Sequence, residues 1–165
     1  MGEESIKKFQ STYECKLIYI FRINDKAHNG CLKIGDATVH TEKDWKELDP
    51  NCHDLNVSAR ARIDEYTTTA GISYELLHAE IAVYVDHSSG KLKSFRDHKV
   101  HDVLIRSGIK RKFFDTQKKQ NEWFVTDLET AKKAIQAVKE EKSALDSSLI
   151  THNQNPIIFR PEQEQ

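Results

Sequence analysis

The strongest restriction on how this chain folds comes from residues 16–23, which read KLIYIFRI. When this run is extended, β-branched and aromatic residues occupy both of its faces, and such a strand needs cover on both sides. It therefore predicts a central strand between packed layers. Residues 31–35 (CLKIG) follow a loop that is rich in turn formers, so we expect the two segments to form a hairpin.

Further segments complete an α+β pattern. Residues 74–85 alternate apolar and polar positions, which predicts a third strand against the hairpin. Residues 121–125 (NEWFV) predict a short strand or extended segment, and residues 36–56 predict a loop with one helical turn. Helical spacing marks three other segments: residues 58–68, 95–107 and 127–142. We expect a small, mostly antiparallel three-stranded sheet flanked by these helices.

The same signals set the domain limits. Thr126 and Glu129 have the spacing of a capping box, which predicts that the last helix starts there. From residue 143 onward the periodicity stops and Ser, Asn, Gln and Pro dominate, as in a linker. A chain of 165 residues suits one domain. We place it at residues 16–142, between an extension at 1–15 and a linker or tail at 143–165.

The charge of the chain is unevenly distributed. Residues 91–120 hold ten Lys and Arg against three Asp, a net charge of +7, so the remainder carries −8 of the total of −1. Clustered basic side chains bind the phosphates of nucleic acids, so this polarity favours DNA as a partner. On charge alone, a solvated lysine-rich face is an equally good interpretation.

The cysteines and the apolar runs indicate the compartment. Three cysteines without a C-x-x-C pair predict reduced thiols rather than a disulfide framework, and hence a cytoplasmic protein. The longest apolar run is five residues, at 17–21, whereas a bilayer span needs about 20, so we expect no membrane association. The first ten residues lack the apolar stretch of a secretion signal.

Five side chains with chemical potential lie on the predicted elements. Tyr19 is on the first strand and Lys33 on the second, while Arg62 and Tyr66 lie one turn apart on the first helix. Arg62 falls within an apolar stripe, where its charge needs a phosphate or, equally, a buried carboxylate. Glu122 precedes two aromatic residues, and one rigidly held carboxylate can bind a Mg²⁺ ion that keeps most of its waters.

These residues occur in an order that resembles a known family. The elements are Leu17-Ile18-Tyr19, Lys33-Ile34-Gly35, Arg62 with Tyr66, and Glu122-Trp123-Phe124. Together they resemble the GIY-YIG nuclease superfamily, in the branch whose second motif reads K-I-G. The resemblance covers roughly residues 16–138 and implies a metal-dependent DNA endonuclease.

The resemblance also implies roles for single residues. Tyr19 would position or deprotonate the attacking water, Arg62 would contact the scissile phosphate, and Glu122 would bind one Mg²⁺ or Mn²⁺ ion per site. Tyr66 stands where the family has Tyr or His. Gly35 would allow close backbone packing at the hairpin, and Lys33 would join the catalytic set. Five basic residues are expected to contact the DNA backbone: Arg60, Lys99, Lys110, Arg111 and Lys112.

Two departures from the family pattern leave alternatives open. Leu17 replaces a Gly, and Lys33 replaces a Tyr, which removes one hydroxyl and supplies a cation. A nucleic-acid-binding module without catalysis, or a protein-interaction domain that retains the fold, would explain both substitutions.

Other groupings carry less weight. His98 and His101 have the spacing of a metal pair, but no further ligand stands at a zinc-site distance in the sequence, so surface or core histidines are expected. Cys52-His53 lacks any group to orient the imidazole. Residues 157–163 resemble the segment that opens a helicase ATPase core, which implies a restriction or repair helicase with this chain as its front domain; an ordinary disordered tail fits equally well. The chain contains no P-loop motif.

Overall fold

The computed structural model describes residues 15–114 and 122–145, apart from the side chain of Tyr66. The strands are β1 (Lys16–Arg22), β2 (Cys31–Thr38), β3 (Glu75–Ile81), β4 (Val83–Val85), β5 (Leu92–Ser94) and β6 (Trp123–Val125). The helices are α1 (His53–Ala70), α2 (Asp97–Arg106) and α3 (Leu128–Lys139), with a short 3-10 turn at Trp45–Glu47. The α+β class with an antiparallel sheet is confirmed.

The sheet is larger than the sequence predicts. Its order is β3-β1-β2-β6, so the expected three strands are four, and every pairing is antiparallel. The fourth strand is the segment around Trp123, which adds to β2 through the pairs Cys31 with Val125 and Lys33 with Trp123. It was missed as a member of the sheet because three residues give too short a pattern to assign to a partner.

The predicted strand at residues 74–85 is wrong in its continuity. It divides at Ala82 into β3, which pairs with β1, and β4, which pairs with β5 in a separate two-stranded sheet. The register pairs of β1 with β3 end at Leu17 and Ile81, next to the first residue of β1, Lys16. The Ala82 N–H donates to the Lys16 carbonyl, 2.8 Å away, and the chain then turns towards β5.

The central position of β1 is confirmed. Residues Leu17 to Phe21 are at most 2% exposed, and their side chains alternate between two cores. Ile18 and Ile20 pack in the core beneath α2 and α3, whereas Leu17, Tyr19 and Phe21 pack in the core beneath α1. Every second residue of β1 is therefore directed to the α1 side, and Tyr19 is one of them.

The helix boundaries differ from the sequence predictions by a few residues. Helix α1 begins at His53 rather than residue 58 and ends at Ala70, and the next residue, Gly71, forms a left-handed C-cap with a φ of 70°. The capping box at Thr126 is wrong by one residue: the Asp127 carboxylate accepts from the Thr130 N–H at 2.8 Å, and the Thr126 hydroxyl is buried with no hydrogen bond.

Several other sequence predictions fall at the margins of the structure. Residues 143–145 contact the end of α2: Arg106 Nη1 donates to the Ser143 carbonyl at 3.2 Å, and the Leu145 N–H donates to the hydroxyl of the C-cap residue Ser107 at 2.8 Å. The extension at residues 1–14, the basic residues at 118–119 and the helicase-like segment at 157–163 lie outside the described residues. The domain limits, the helicase link and the cytoplasmic location stay predictions. In the described ranges, no helix has the length and apolar character needed to cross a bilayer.

A buried polar network ties β3 to α3 on the face opposite α1. The Glu80 carboxylate lies 2.8 Å from His78 Nε2 and 2.5 Å from Lys139 Nζ, and its side chain is 11% exposed. Burial raises the pKa of Glu80, but the bonds from His78 and Lys139 outweigh it and lower the pKa below its ordinary value. Glu80 is therefore ionised at neutral pH.

Replacing Glu80 should destabilise the protein strongly and in a pH-dependent manner. We expect Glu80→Ala to lower the free energy of unfolding by on the order of 3 kcal/mol at pH 7, because Lys139 and His78 lose a buried partner. A carboxylate whose folded pKa lies below its unfolded value stabilises the fold above that unfolded value, here 4.5, and stops doing so as the pH falls through the folded value. The free energies of unfolding of the wild type and Glu80→Ala, measured by urea titration, should therefore converge as the pH falls from 7 to 3.

The control is Glu129→Ala, which removes the exposed, 3.8 Å pair with Lys132 on α3. Its effect should stay below about 1 kcal/mol. Equal losses in the two variants would contradict the role assigned to the Glu80 network.

Candidate active site

A cavity of about 330 Å³ opens where β1, β2, α1, the start of α2 and the segment before β6 meet. Four of the residues singled out in the sequence line it: Tyr19, Lys33, Arg62 and Glu122. Three further residues complete the lining: Asp36, Arg96 and Asp97. Side chains separated by up to 103 positions along the chain are thus gathered at one polar depression.

Tyr19 is held against the backbone of Gly35. The two residues are register partners in the β1–β2 hairpin, and Tyr19 is 2% exposed. A Cβ atom added at Gly35 would lie 2.6 Å from Tyr19 Cζ and 2.9 Å from Cε1, closer than any real contact. Glycine is therefore required here by the tyrosine ring that lies over it, not by an unusual φ angle. The close packing expected of Gly35 is present, and the tyrosine is its cause.

Lys33 and Glu122 meet through the β2–β6 pairing. Lys33 is the register partner of Trp123, and the Ile34 N–H donates to the Glu122 carbonyl at 3.0 Å. These backbone bonds bring Lys33 Nζ to 3.5 Å from Glu122 Oε1. The two side chains are only 16% and 27% exposed, so the pair is partly shielded from water. The acid expected to bind a metal thus already has a lysine beside it.

Asp36 and Arg96 form a second ion pair at the cavity. Arg96 Nε and Nη2 lie 2.8 Å and 3.3 Å from the two carboxylate oxygens of Asp36, and the Asp97 N–H donates to the same carboxylate at 2.9 Å. Burial raises the pKa of Asp36, but the bonds from Arg96 and Asp97 lower it overall. Asp36 therefore stays ionised and fixes the start of α2 to β2.

Asp97 and Glu122 are neighbouring carboxylates. Burial, a hydrogen bond with Glu122, and the negative charges of Asp36 and Glu122 together raise the pKa of Asp97 to about 7. Two carboxylates that share a site cannot both ionise at little cost, and one of them takes up a proton. His101, one turn along α2, is buried and donates from Nε2 to the Ile34 carbonyl at 2.8 Å, and burial lowers its pKa.

Arg62 is less buried than its place in an apolar stripe predicts. Ala59 and Ile63 on the same helix are fully buried, but the Arg62 side chain is 51% exposed and its Nη1 lies 2.8 Å from Glu65 Oε1. The pair with Glu65 is therefore exposed to solvent rather than buried. Tyr66 lies one turn further along α1, and its side chain is outside the described part of the structure.

The predicted DNA-contacting residues lie outside the cavity lining. Arg60, Lys99, Lys110 and Lys112 are exposed, and the guanidinium of Arg111 lies over the Phe124 ring at 5.6 Å. Residues 110–112 run along β6, since Val125 N–H donates to the Lys110 carbonyl and Lys112 N–H to the Trp123 carbonyl, each at 2.9 Å. Basic side chains therefore border the strand that follows Glu122. His98 is exposed, and Cys52 and His53 begin α1.

Sequence reasoning missed Asp36, Arg96 and Asp97. The sequence does hold a signal for the two acids. Asp36 directly follows the Lys33-Ile34-Gly35 motif, and Asp97 is an acid at the start of a helix in an otherwise basic segment. The pattern did not reveal that the β2 end and the α2 start meet.

The donor set suits a hard cation only in part. Among the described residues, no group of three or more His, Cys, Asp or Glu side chains is arranged to hold a metal. Asp36 is committed to Arg96, which leaves the pair of Asp97 and Glu122. One or two carboxylates with water in the remaining positions is the coordination that Mg²⁺ accepts.

Comparison with known proteins adds no assignment: no family model matches the sequence, and no curated protein or solved structure matches the chain.

The packing of Tyr19 on Gly35 predicts a specific mutational coupling. Gly35→Ala should lower the free energy of unfolding by about 1–3 kcal/mol, because the new methyl group forces the tyrosine ring to move. In a Tyr19→Ala background the same glycine substitution should cost much less. A double-mutant cycle measured by chemical denaturation tests this coupling, and additive effects of the two substitutions would contradict it.

The raised pKa of Asp97 predicts a pH-dependent stability. In the unfolded chain Asp97 ionises near pH 3.8, whereas in the folded protein it holds its proton up to about pH 7. The native state therefore binds more protons between these values, and this group makes stability fall as the pH rises through that window. Asp97→Asn should remove this contribution to the pH dependence of stability. At pH 8 its free energy of unfolding should be higher than that of the wild type.

Chemical denaturation in EDTA at several values between pH 4 and pH 8 would measure this difference. The control is Asp64→Asn, on α1. A wild-type curve parallel to that of Asp97→Asn would contradict the assignment.

Proposed function

We propose that this protein is a metal-dependent DNA endonuclease that hydrolyses phosphodiester bonds. The observation that carries the proposal is the convergence of Tyr19, Lys33, Arg62 and Glu122 on one cavity. Hydrolysis of a phosphodiester needs an oriented water, a positive clamp for the charge that develops on the phosphate, and stabilisation of the leaving oxygen. The cavity offers a candidate for each requirement.

Tyr19 is the candidate for orienting water. Its ring is fixed between the backbone of Gly35 and the ring of Phe21, with the ring centroids of Tyr19 and Phe21 5.9 Å apart. A hydroxyl held this firmly can direct a water molecule without an entropic cost at the moment of reaction. Lys33, on the neighbouring strand, provides a positive charge on the same cavity and would favour developing negative charge there.

Arg62 is the candidate for the phosphate clamp. Its side chain is half-exposed at the cavity and forms an ion pair with the exposed Glu65 on the same helix. Exchange of such an exposed pair for a phosphate costs little, because surface pairs contribute at most about 1 kcal/mol. The planar fork of arginine matches two phosphate oxygens.

Glu122, with Asp97 beside it, would hold the metal ion. The two carboxylates repel each other, as the pKa of Asp97 near 7 indicates, and a cation between them would relieve that repulsion. When bound, Mg²⁺ or Mn²⁺ supplies Lewis-acid stabilisation of charge at the phosphate and the leaving oxygen. Lys33 would have to give up its 3.5 Å contact with Glu122 when the ion binds.

That contact supports a second candidate function. Lys33 forms an ion pair with Glu122, the acid proposed to hold the metal, and it stands where the family pattern has a tyrosine. Both features are expected of a module that binds nucleic acid without cleaving it. The exposed basic residues bordering β6 would then supply the affinity through phosphate contacts. A protein-interaction domain remains the third alternative.

A nicking assay separates these functions. With supercoiled plasmid and Mg²⁺ or Mn²⁺, the 165-residue chain should convert circles to the nicked form, and Glu122→Ala should slow this by on the order of 100-fold or more. Glu129→Ala, an exposed acid on α3, is the matched control and should cleave like wild type. Tyr19→Phe should also nick the plasmid slowly, whereas Tyr84→Phe, on β4, should nick it at the wild-type rate.

Two outcomes would contradict the proposal. Salt-sensitive retention of DNA without nicking would favour the binding module, and absence of both retention and nicking would favour the interaction domain. Equal cleavage by Tyr19→Phe and wild type would remove the role of the tyrosine hydroxyl. Circular dichroism of every variant should confirm that loss of activity is not loss of fold.

A further inference from the structure

We propose that Arg96 is a second phosphate-binding residue of the cavity and that Asp36 is the residue that positions it. The inference rests on the proposed function for the identity of the ligand, a phosphodiester of DNA. The sequence motifs include neither Arg96 nor Asp36. Arg96 lies at the start of α2 and Asp36 on β2, whereas Arg62 lies on α1.

The first observation is the unequal burial of the ion pair. The Asp36 side chain is 8% exposed, whereas that of Arg96 is 58% exposed at the cavity. In the comparable pair of Arg22 and Glu75, the two side chains are 47% and 48% exposed. A buried acid beneath an exposed arginine is the arrangement that presents a guanidinium to a ligand.

The second observation is the geometry of the pair. Arg96 approaches Asp36 through Nε and Nη2, so the plane of the guanidinium is fixed relative to β2. A guanidinium has five N–H donors, and a side-on contact with one carboxylate uses two of them. Holding the group in one orientation reduces the entropy that is lost when a second anion binds.

The third observation is what Asp36 holds besides Arg96. The same carboxylate accepts the Asp97 N–H at 2.9 Å, at the first residue of α2, while Arg96 itself makes no side-chain cap. Asp36 thus sets the distance between β2 and the start of α2. Arg96 and Arg62, on separate elements, line one cavity and can contact the same phosphate from two sides.

Stability alone gives a weak reason for this pair. Burying a carboxylate such as Asp36 has a desolvation cost that an ion pair often does no more than offset, so the presence of this pair at a polar cavity favours a role in binding. Without Arg96, two cations of the lining, Lys33 and Arg62, would face an anionic ligand together with three acids, Asp36, Asp97 and Glu122. Arg96 offsets part of the repulsion between these acids and the ligand.

The test measures DNA binding separately from cleavage. In a Glu122→Gln background, binding of a fluorescent duplex is followed by anisotropy as a function of salt. We expect Arg96→Ala to weaken binding about tenfold and to reduce the slope of log affinity against log salt by about 1, the effect of one lost phosphate contact. Arg22→Ala, which breaks the exposed pair with Glu75, is the matched control and should change neither quantity.

A double variant guards against misfolding. Arg96→Ala leaves the buried Asp36 unpaired, so Asp36→Asn with Arg96→Gln removes both charges and retains an acceptor for the Asp97 N–H. It should reproduce the affinity and salt-slope changes of Arg96→Ala. Wild-type affinity and slope in the folded double variant would overturn the phosphate contact.

Asp36→Asn alone tests positioning. It removes a negative charge, so DNA affinity should not fall, whereas the single-turnover cleavage rate at saturating DNA should fall because Arg96 is no longer held. Loss of affinity together with an unchanged rate would overturn the positioning role.

The inference and the proposed function can fail independently. Glu122-dependent cleavage with Arg96→Ala equal to wild type would overturn only the role of Arg96. A chain that binds DNA with an Arg96-dependent salt slope but never cleaves it would overturn only the proposed nuclease activity.

Discussion

The close packing of Tyr19 on Gly35 is the contact on which the candidate site depends. It requires β1 to be central, because only a strand buried on both faces fixes its side chains so completely. It also requires the hairpin register, since a shift by one residue would turn Tyr19 to the other core. Once both conditions hold, Lys33, two residues before Gly35, lies opposite Phe21 and diagonal to Tyr19 on the same face of the sheet.

The short strand β6 gives the second half of the site its position. Three register pairs with β2 and one further backbone bond, from Ile34 to Glu122, bring an acid 89 positions away to the side of Lys33. Residues 110–112 cover the outer side of β6 with backbone bonds, so this strand is not an open edge. Strand β6 therefore positions both Glu122 and the basic residues 110–112.

Sequence reasoning recovered much of this arrangement, and the limits have physical causes. The apolar run at residues 16–23, with large residues on both faces, and the order of the motif residues were sufficient to predict the hairpin and to name Tyr19, Lys33, Arg62 and Glu122. They were insufficient for Ala82, where the end of the partner strand, a tertiary property, divides one apolar run into β3 and β4. They also missed Asp36 and Asp97, because the local sequence does not show that β2 and the start of α2 meet.

The charged side chains that line the cavity are balanced in sign. Lys33, Arg62 and Arg96 face Asp36, Asp97 and Glu122, so the lining is close to neutral when all six are ionised. A neutral lining attracts neither a bare cation nor a bare phosphate strongly. Under the proposed function, Glu122 would hold the metal ion in place of its 3.5 Å contact with Lys33, and the Lys33 ammonium would favour the negative charge of the phosphate. The metal would offset the charge of Glu122 and the phosphate would offset the charge of Lys33. Metal and DNA are therefore expected to bind more tightly together than alone.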